Sequence, residues 1–190
     1  GWHGFKQIAK FLKKDVIPLK TDLGLINPED IDDLELKDNS ALIFTSFAGY
    51  AAEQDIKSIS KYCRNNGITT IEDASAGISD EKDLLGNCKY SDIVIASTGQ
   101  PKIINVGSGG FIASNDENLF GETSLPLKIS KTNEIVSSGI HEELKSVSKN
   151  LQLTLNATEY LKKHIPNVIH GDKRGVNLIT QDDDAKQKTW

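Results

Sequence analysis

The 190-residue sequence contains no methionine, not even at residue 1, and only two cysteines, two tryptophans and five prolines. A chain that opens on Gly1-Trp2-His3 is what processing or a partial chain would give, so residues 1–190 need not be the whole native protein. Cys63 and Cys88 are too few and too far apart for a disulfide framework or a zinc site, and their use fits a reducing cytoplasm. No apolar run approaches the roughly 20 residues that span a bilayer, and no charged-then-apolar leader opens the chain. A basic surplus is missing as well. Lys and Arg number 22 against 27 Asp and Glu, net charge −5, and the basic residues are scattered, which excludes a nucleic-acid footprint. His3, His141, His164 and His170 are dispersed without metal-ligand spacing. Asp182-Asp183-Asp184 reads as a solvated acidic run.

What is present is a hydrophobic content of 37%, enough for a single ordinary core. Apolar runs alternate with amphipathic ones, the pattern of an α/β protein with a mainly parallel sheet flanked by helices. "GFKQIAKFLKK" places Phe5, Ile8, Ala9 and Leu12 at helical spacing. "VIPL" (16–19) reads as a short strand and "ALIFTSF" (41–47) as a fully buried one. Between them, Asn27 is a cap and Pro28 a first helical residue. "EQDIKSISKYCRNNG" (53–67) is a helix with Ile56, Ile59 and Tyr62–Cys63 inward, stopped by Asn65-Asn66-Gly67. "ITTIED", "SDIVIAST" and "GGFIAS" are three further strands. From about residue 140 the chain turns helical, with Leu144, Val147, Leu151, Leu155 and Leu161 in near-heptad spacing. "IPNVIHGDKRGVNLIT" predicts a strand, a turn and a strand, the start of a small C-terminal α+β unit.

In a parallel sheet, ligands gather at the carboxyl ends of the strands. Glu72 and Asp73 end one strand, Ser97 and Thr98 end the next, and Lys102 follows in the adjoining loop. An acid, a hydroxyl and a lysine on one edge form a cofactor constellation or ordinary turn chemistry, since Asp and Ser are common turn residues. Residue types alone leave both open. "GSGG" (107–110) opens no helix and is a poor phosphate loop.

Joint spacing carries more. "EDASAG" (72–77), "YSDIVIASTGQPK" (90–102) and "INVGSGGFIASND" (104–116) resemble the motifs of the DegT/StrS family of sugar aminotransferases, fold type I enzymes that use pyridoxal phosphate. Ser97 precedes Lys102 by five positions, and Lys102 precedes Gly109 by seven, as in that family. The resemblance implies the large-domain portion of the fold type I aminotransferase fold over residues 1–139. A helical segment and the start of a small C-terminal domain would follow over 140–190. It implies that Lys102 forms the Schiff base with the cofactor and shuttles the substrate proton. Asp73 would keep the pyridine nitrogen protonated, Ser97 would bind the phosphate, and Trp2 would stack on the ring. Gly109 and Gly110 would let the backbone pass close beneath. The implied substrates are a nucleotide-linked keto-sugar and glutamate, and the implied assembly is a homodimer in the cytoplasm.

The chain departs from that pattern in three places. Ala76 stands where the family has Gln or His to touch the ring hydroxyl, and Thr98-Gly99-Gln100-Pro101 replaces an aromatic-bearing stretch. The family's "GT/S-xAL" phosphate cradle would lie before residue 1, and most of its small domain beyond residue 190. These departures define the alternative, a non-catalytic or truncated relative that serves as a binding or regulatory domain.

Overall fold

The structure, a computed structural model, describes residues 3–181. Trp2 and Asp182–Asp184, singled out above, lie outside them.

The first helix, α1 (His3–Phe11), follows the predicted apolar spacing. Residues 16–19 form no strand. Pro18 has no N–H to give a sheet, and its neighbours run as irregular chain. At Pro28–Ile31 the chain makes one 3-10 turn, capped by Asn27, whose side chain accepts from Glu29 N.

Four strands form the main sheet: β1 (Ala41–Thr45), β4 (Thr69–Asp73), β5 (Ile93–Ser97) and β6 (Gly110–Ser114), in the order β1-β4-β5-β6. The first three are parallel and β6 is antiparallel to β5. A two-stranded hairpin, β2 (Phe47–Ala48) and β3 (Ala52–Glu53), leaves the carboxyl end of β1 and leads into α2 (Ile56–Asn65). After β6 the chain is helical: α3 (Glu117–Glu122), α4 (Ser124–Ile129), α5 (Glu134–Leu144) and α6 (Val147–His164). The architecture is the expected one, a mostly parallel sheet flanked by helices.

Strand alternation divides the residues between two faces. Register puts Phe44, Glu72 and Val94 side by side on one face, and all three are buried. Ile56, Ile59 and Cys63 of α2 and Leu151 and Leu155 of α6 join Phe44 in the core. Each side chain of that size contributes about 2 kcal/mol by leaving water. The opposite face carries Ile43, Ile71, Ile93, Ile95 and Ile112, none of them buried. The expectation that 41–47 is a fully buried strand is therefore corrected. β1 lies at the sheet's edge and Ile43 is 40% exposed.

The predicted C-terminal strand pair is reduced to one bridge, Val168 with Thr180, beside the bond from Ile169 N to Ile179 O. The donors between them are used elsewhere. Val176 N and Asn177 N both bond Tyr50 O, and Arg174 O accepts from Glu53 N.

Candidate cofactor site

Because β1, β4 and β5 run parallel, their carboxyl ends share one edge, with Thr45 opposite Asp73 and Asp73 opposite Ile95. Asp73 is buried there. Its Oδ1 accepts from both Ser75 N (3.1 Å) and Ser75 Oγ (2.6 Å). Ser75 Oγ in turn accepts from Ser97 N at 2.9 Å, so one serine ties the ends of β4 and β5 together. Among the described residues no donor reaches Asp73 Oδ2. Ser97 is exposed; its Oγ accepts from Gly99 N (3.3 Å) and its hydroxyl proton has no acceptor among the described residues.

Thr98 organises the loop that carries Lys102. It is fully buried, its N donates to Gly109 O, its O accepts from Val106 N, and its Oγ1 donates to Ser108 O at 2.7 Å. Gly109 and Gly110 close that loop against the sheet. Gly109 has φ +86°, and a Cβ on Gly110 would stand 2.5 Å from Ala96 O, so neither position admits a side chain. Lys102 is half-buried, and its Nζ donates to Tyr50 Oη at 2.5 Å, 4.6 Å from the centre of the Tyr50 ring. Tyr50 sits in the turn between β2 and β3, at the strand-end edge.

Behind Asp73 lies Glu72, 1% exposed. Its carboxylate accepts from Ser46 Oγ (2.6 Å), Gly86 N (2.9 Å) and Ser91 Oγ (3.0 Å). Burial pushes its pKa up, the three donors partly offset that, and the neighbouring Asp73 charge adds to the rise.

The structure thus joins Asp73 to Ser97 through Ser75 and brings Lys102 to the hairpin at the same edge. Ala76 is buried in the core and offers no polar atom to a ring hydroxyl. Sequence reasoning placed Thr98 at the strand end but not its loop contacts, and it missed Tyr50 and Ser75. Ser75 was findable, since a serine two residues past a strand-end Asp can close a turn on it. The Tyr50–Lys102 contact spans 52 positions and leaves no local signal. Two open clefts, of about 430 and 410 Å³, lie elsewhere and include none of Asp73, Ser97 or Lys102. Among the described residues no group of His, Cys, Asp and Glu could hold a metal ion, and no helix is long and apolar enough to cross a membrane.

The donor set fits pyridoxal phosphate. Asp73 Oδ2 can accept from a ring nitrogen, the Ser97 hydroxyl can donate to a phosphate oxygen, and Lys102 offers a primary amine.

The fold has many solved counterparts. Helicobacter pylori PseC, an aminotransferase involved in the biosynthesis of pseudoaminic acid, superposes with a TM-score of 0.77 at 14% identity, over 99% of this chain and 58% of that one. NtdA from Bacillus subtilis, with bound cofactor PMP, gives 0.60 at 19% identity, over 85% of this chain and 43% of that one. DesI, in the presence of its TDP-sugar product, gives 0.60 at 15% identity, over 86% and 47%. The chain therefore has the fold type I aminotransferase fold and spans 58% of the length of PseC, less of the other two. The profile of the DegT/DnrJ/EryC1/StrS aminotransferase family matches residues 15–141, and the chain belongs to that family. A second profile, the MJ1341 family C-terminal domain, matches residues 148–190. Among curated proteins, none matches this sequence.

Proposed function

We propose that this protein is a pyridoxal phosphate-dependent aminotransferase that moves an amino group from glutamate to a nucleotide-linked keto-sugar. One observation carries the reading. Three groups at one strand-end edge, Asp73 Oδ2, the Ser97 hydroxyl and Lys102 Nζ, remain able to engage a ligand, and they are the three the family spacing selects. Pyridoxal phosphate, when bound, supplies an aldehyde and a ring that draws electrons from the substrate carbon. Asp73 would hold a proton at the ring nitrogen. Ser97 would orient the phosphate. Lys102 would hold the cofactor covalently and move a proton at the substrate carbon. Trp2 is kept as the residue that stacks on the ring.

The sugar substrate is supported by the TDP-sugar product present with DesI and by the role of PseC in pseudoaminic acid biosynthesis. A homodimer in the cytoplasm belongs to the same reading, and the free thiols Cys63 and Cys88 fit that compartment. We place the boundary between the cofactor-binding portion and the C-terminal unit near residue 140, which the ranges of the two matching profiles support.

The test is a half-reaction. Protein loaded with pyridoxal phosphate is mixed with glutamate alone, and release of 2-oxoglutarate is followed with conversion of the cofactor to its amine form. The reading expects both in equal amounts, then reversal on adding a nucleotide-linked keto-sugar. Loaded protein that leaves glutamate unchanged over hours would remove glutamate as donor. If no amino acid is converted, the aminotransferase reading falls.

A further inference from the structure

Tyr50 departs from what a loop tyrosine on a surface would show. Its backbone has φ +64°, the left-handed region that a bulky side chain rarely occupies. Such a conformation persists only where neighbours over-determine it, and here they do. Tyr50 O accepts from Val176 N (2.9 Å) and Asn177 N (3.0 Å). The next carbonyl, Ala51 O, accepts from the buried Lys162 Nζ at 2.6 Å, which also bonds His170 O and Lys173 O. Glu53, closing the hairpin, is paired with Arg174. The turn is thus pinned from α6 and from residues 170–177, and its one aromatic side chain meets Lys102.

We propose that Tyr50 is a positioning residue for Lys102, holding the amine at the strand-end edge through its hydroxyl and its ring. The inference rests on Lys102 being the residue that bonds the cofactor. A lysine on a flexible four-carbon stem samples many rotamers, and only a few place its nitrogen where an aldehyde would sit. A phenol hydroxyl serves this role in both protonation states of the amine. It accepts from the ammonium as seen here, and it can go on accepting an N–H of the neutral amine, whose lone pair is then left free. The ring adds attraction for the cationic form only. Tyr50 therefore keeps the nitrogen in place while its proton departs, the moment at which it must attack. The turn that carries Tyr50 is fixed by the C-terminal segment, so residues 170–177 contribute to the site without touching it.

The experiment compares wild type, Tyr50→Phe and Lys102→Ala. Pyridoxal phosphate is added, borohydride quenches the mixture at intervals, and the mass of the Lys102 peptide gives the rate of covalent capture. Binding of 4′-deoxypyridoxine 5′-phosphate, which has no aldehyde, is measured in parallel by fluorescence. Tyr50→Phe keeps the ring and should melt like wild type. The expected result is capture slowed about tenfold, the worth of one hydrogen bond to a charged group. Affinity for the aldehyde-free analogue should change by less than about twofold, because that ligand does not use the amine. Equal capture rates in wild type and Tyr50→Phe overturn the inference. So does a parallel loss of capture and analogue affinity, which would make Tyr50 merely structural. Wild type that captures at other lysines but never at Lys102 overturns the cofactor reading itself, and the two failures are thereby told apart.

Discussion

Glu72 shows how a single buried residue makes stability depend on pH. Its carboxylate is buried behind Asp73 and held by Ser46, Gly86 and Ser91. Since its native pKa lies above the ordinary 4.5, the folded protein keeps a proton that the unfolded chain gives up. Its contribution to stability is therefore fullest in acid and is lost as pH rises through the native value. Urea unfolding against pH should show wild type losing stability relative to Glu72→Gln, which cannot titrate, on going upward from pH 4.5. A constant difference at all pH values would contradict this. Glu72→Ala should cost roughly 3 kcal/mol, because it leaves three buried donors without an acceptor and opens a cavity.

Two further residues give separate checks. Burial pushes the Cys63 thiol up to about 11, while Cys88 is only partly buried. An aromatic disulfide reagent at neutral pH should label Cys88 and spare Cys63 until denaturant is added. Asp73→Asn should weaken retention of pyridoxal phosphate about tenfold or more, the loss expected of a charge-assisted hydrogen bond. Equilibrium dialysis measures it, and unchanged affinity would remove Asp73 from the ring nitrogen. That Asp73 and Ser97 end neighbouring strands, with Lys102 in the loop that follows, could be read from the sequence because strand ends and short spacings are local. Ser75, Tyr50 and the loop contacts of Thr98 were harder. Their roles depend on which backbone atoms of distant segments come within reach, and no periodicity records that.

At the scale of elements, the C-terminal segment is fastened by two cations. Arg174 spans Glu53 (2.6 Å) and Asp80 (2.8 Å), and Lys162 on α6 donates to three carbonyls. The hydrogen bond to Glu53, and with it that to Asp80, raises the Arg174 pKa above its ordinary value, against the opposing effect of burial. Arg174→Met should cost about 3 kcal/mol, since it strands two carboxylates, the Asp80 side chain being 1% exposed. It should also hasten limited proteolysis within residues 165–181, which a gel time course would show. Unchanged cleavage would mean that the segment is held by its apolar contacts alone. The same fastening explains a misread element. "VIHGDKRGVNLIT" has the alternation of a hairpin, yet its donors at Val176 and Asn177 go to Tyr50, so the ladder stops at one bridge. Apolar runs 16–19 and 41–47 misled for a related reason. A run states that residues are apolar and not whether a neighbour covers both sides.

Across the whole molecule, the sheet has one packed face and one face of half-exposed isoleucines. Ile43, Ile71, Ile93, Ile95 and Ile112 form an apolar surface on the side that also bears Asp73 and Ser97. Surfaces of this kind bind hydrophobic dyes and other apolar partners. Anilinonaphthalene sulfonate should fluoresce with the native chain, and the double variant Ile43→Thr, Ile112→Thr should reduce that signal. The general plan, a mostly parallel sheet flanked by helices, was legible from alternation alone. Which face stays open was not, because it depends on which elements pack where.

The central claim is that Lys102 holds the cofactor, and a visible absorption spectrum after adding pyridoxal phosphate, beside Lys102→Ala, tests it most directly. The account predicts a protein-bound band in wild type, fixed by borohydride as a mass increment on the Lys102 peptide and absent from the variant. A folded wild-type protein with no band, or a band that persists in Lys102→Ala, would contradict it.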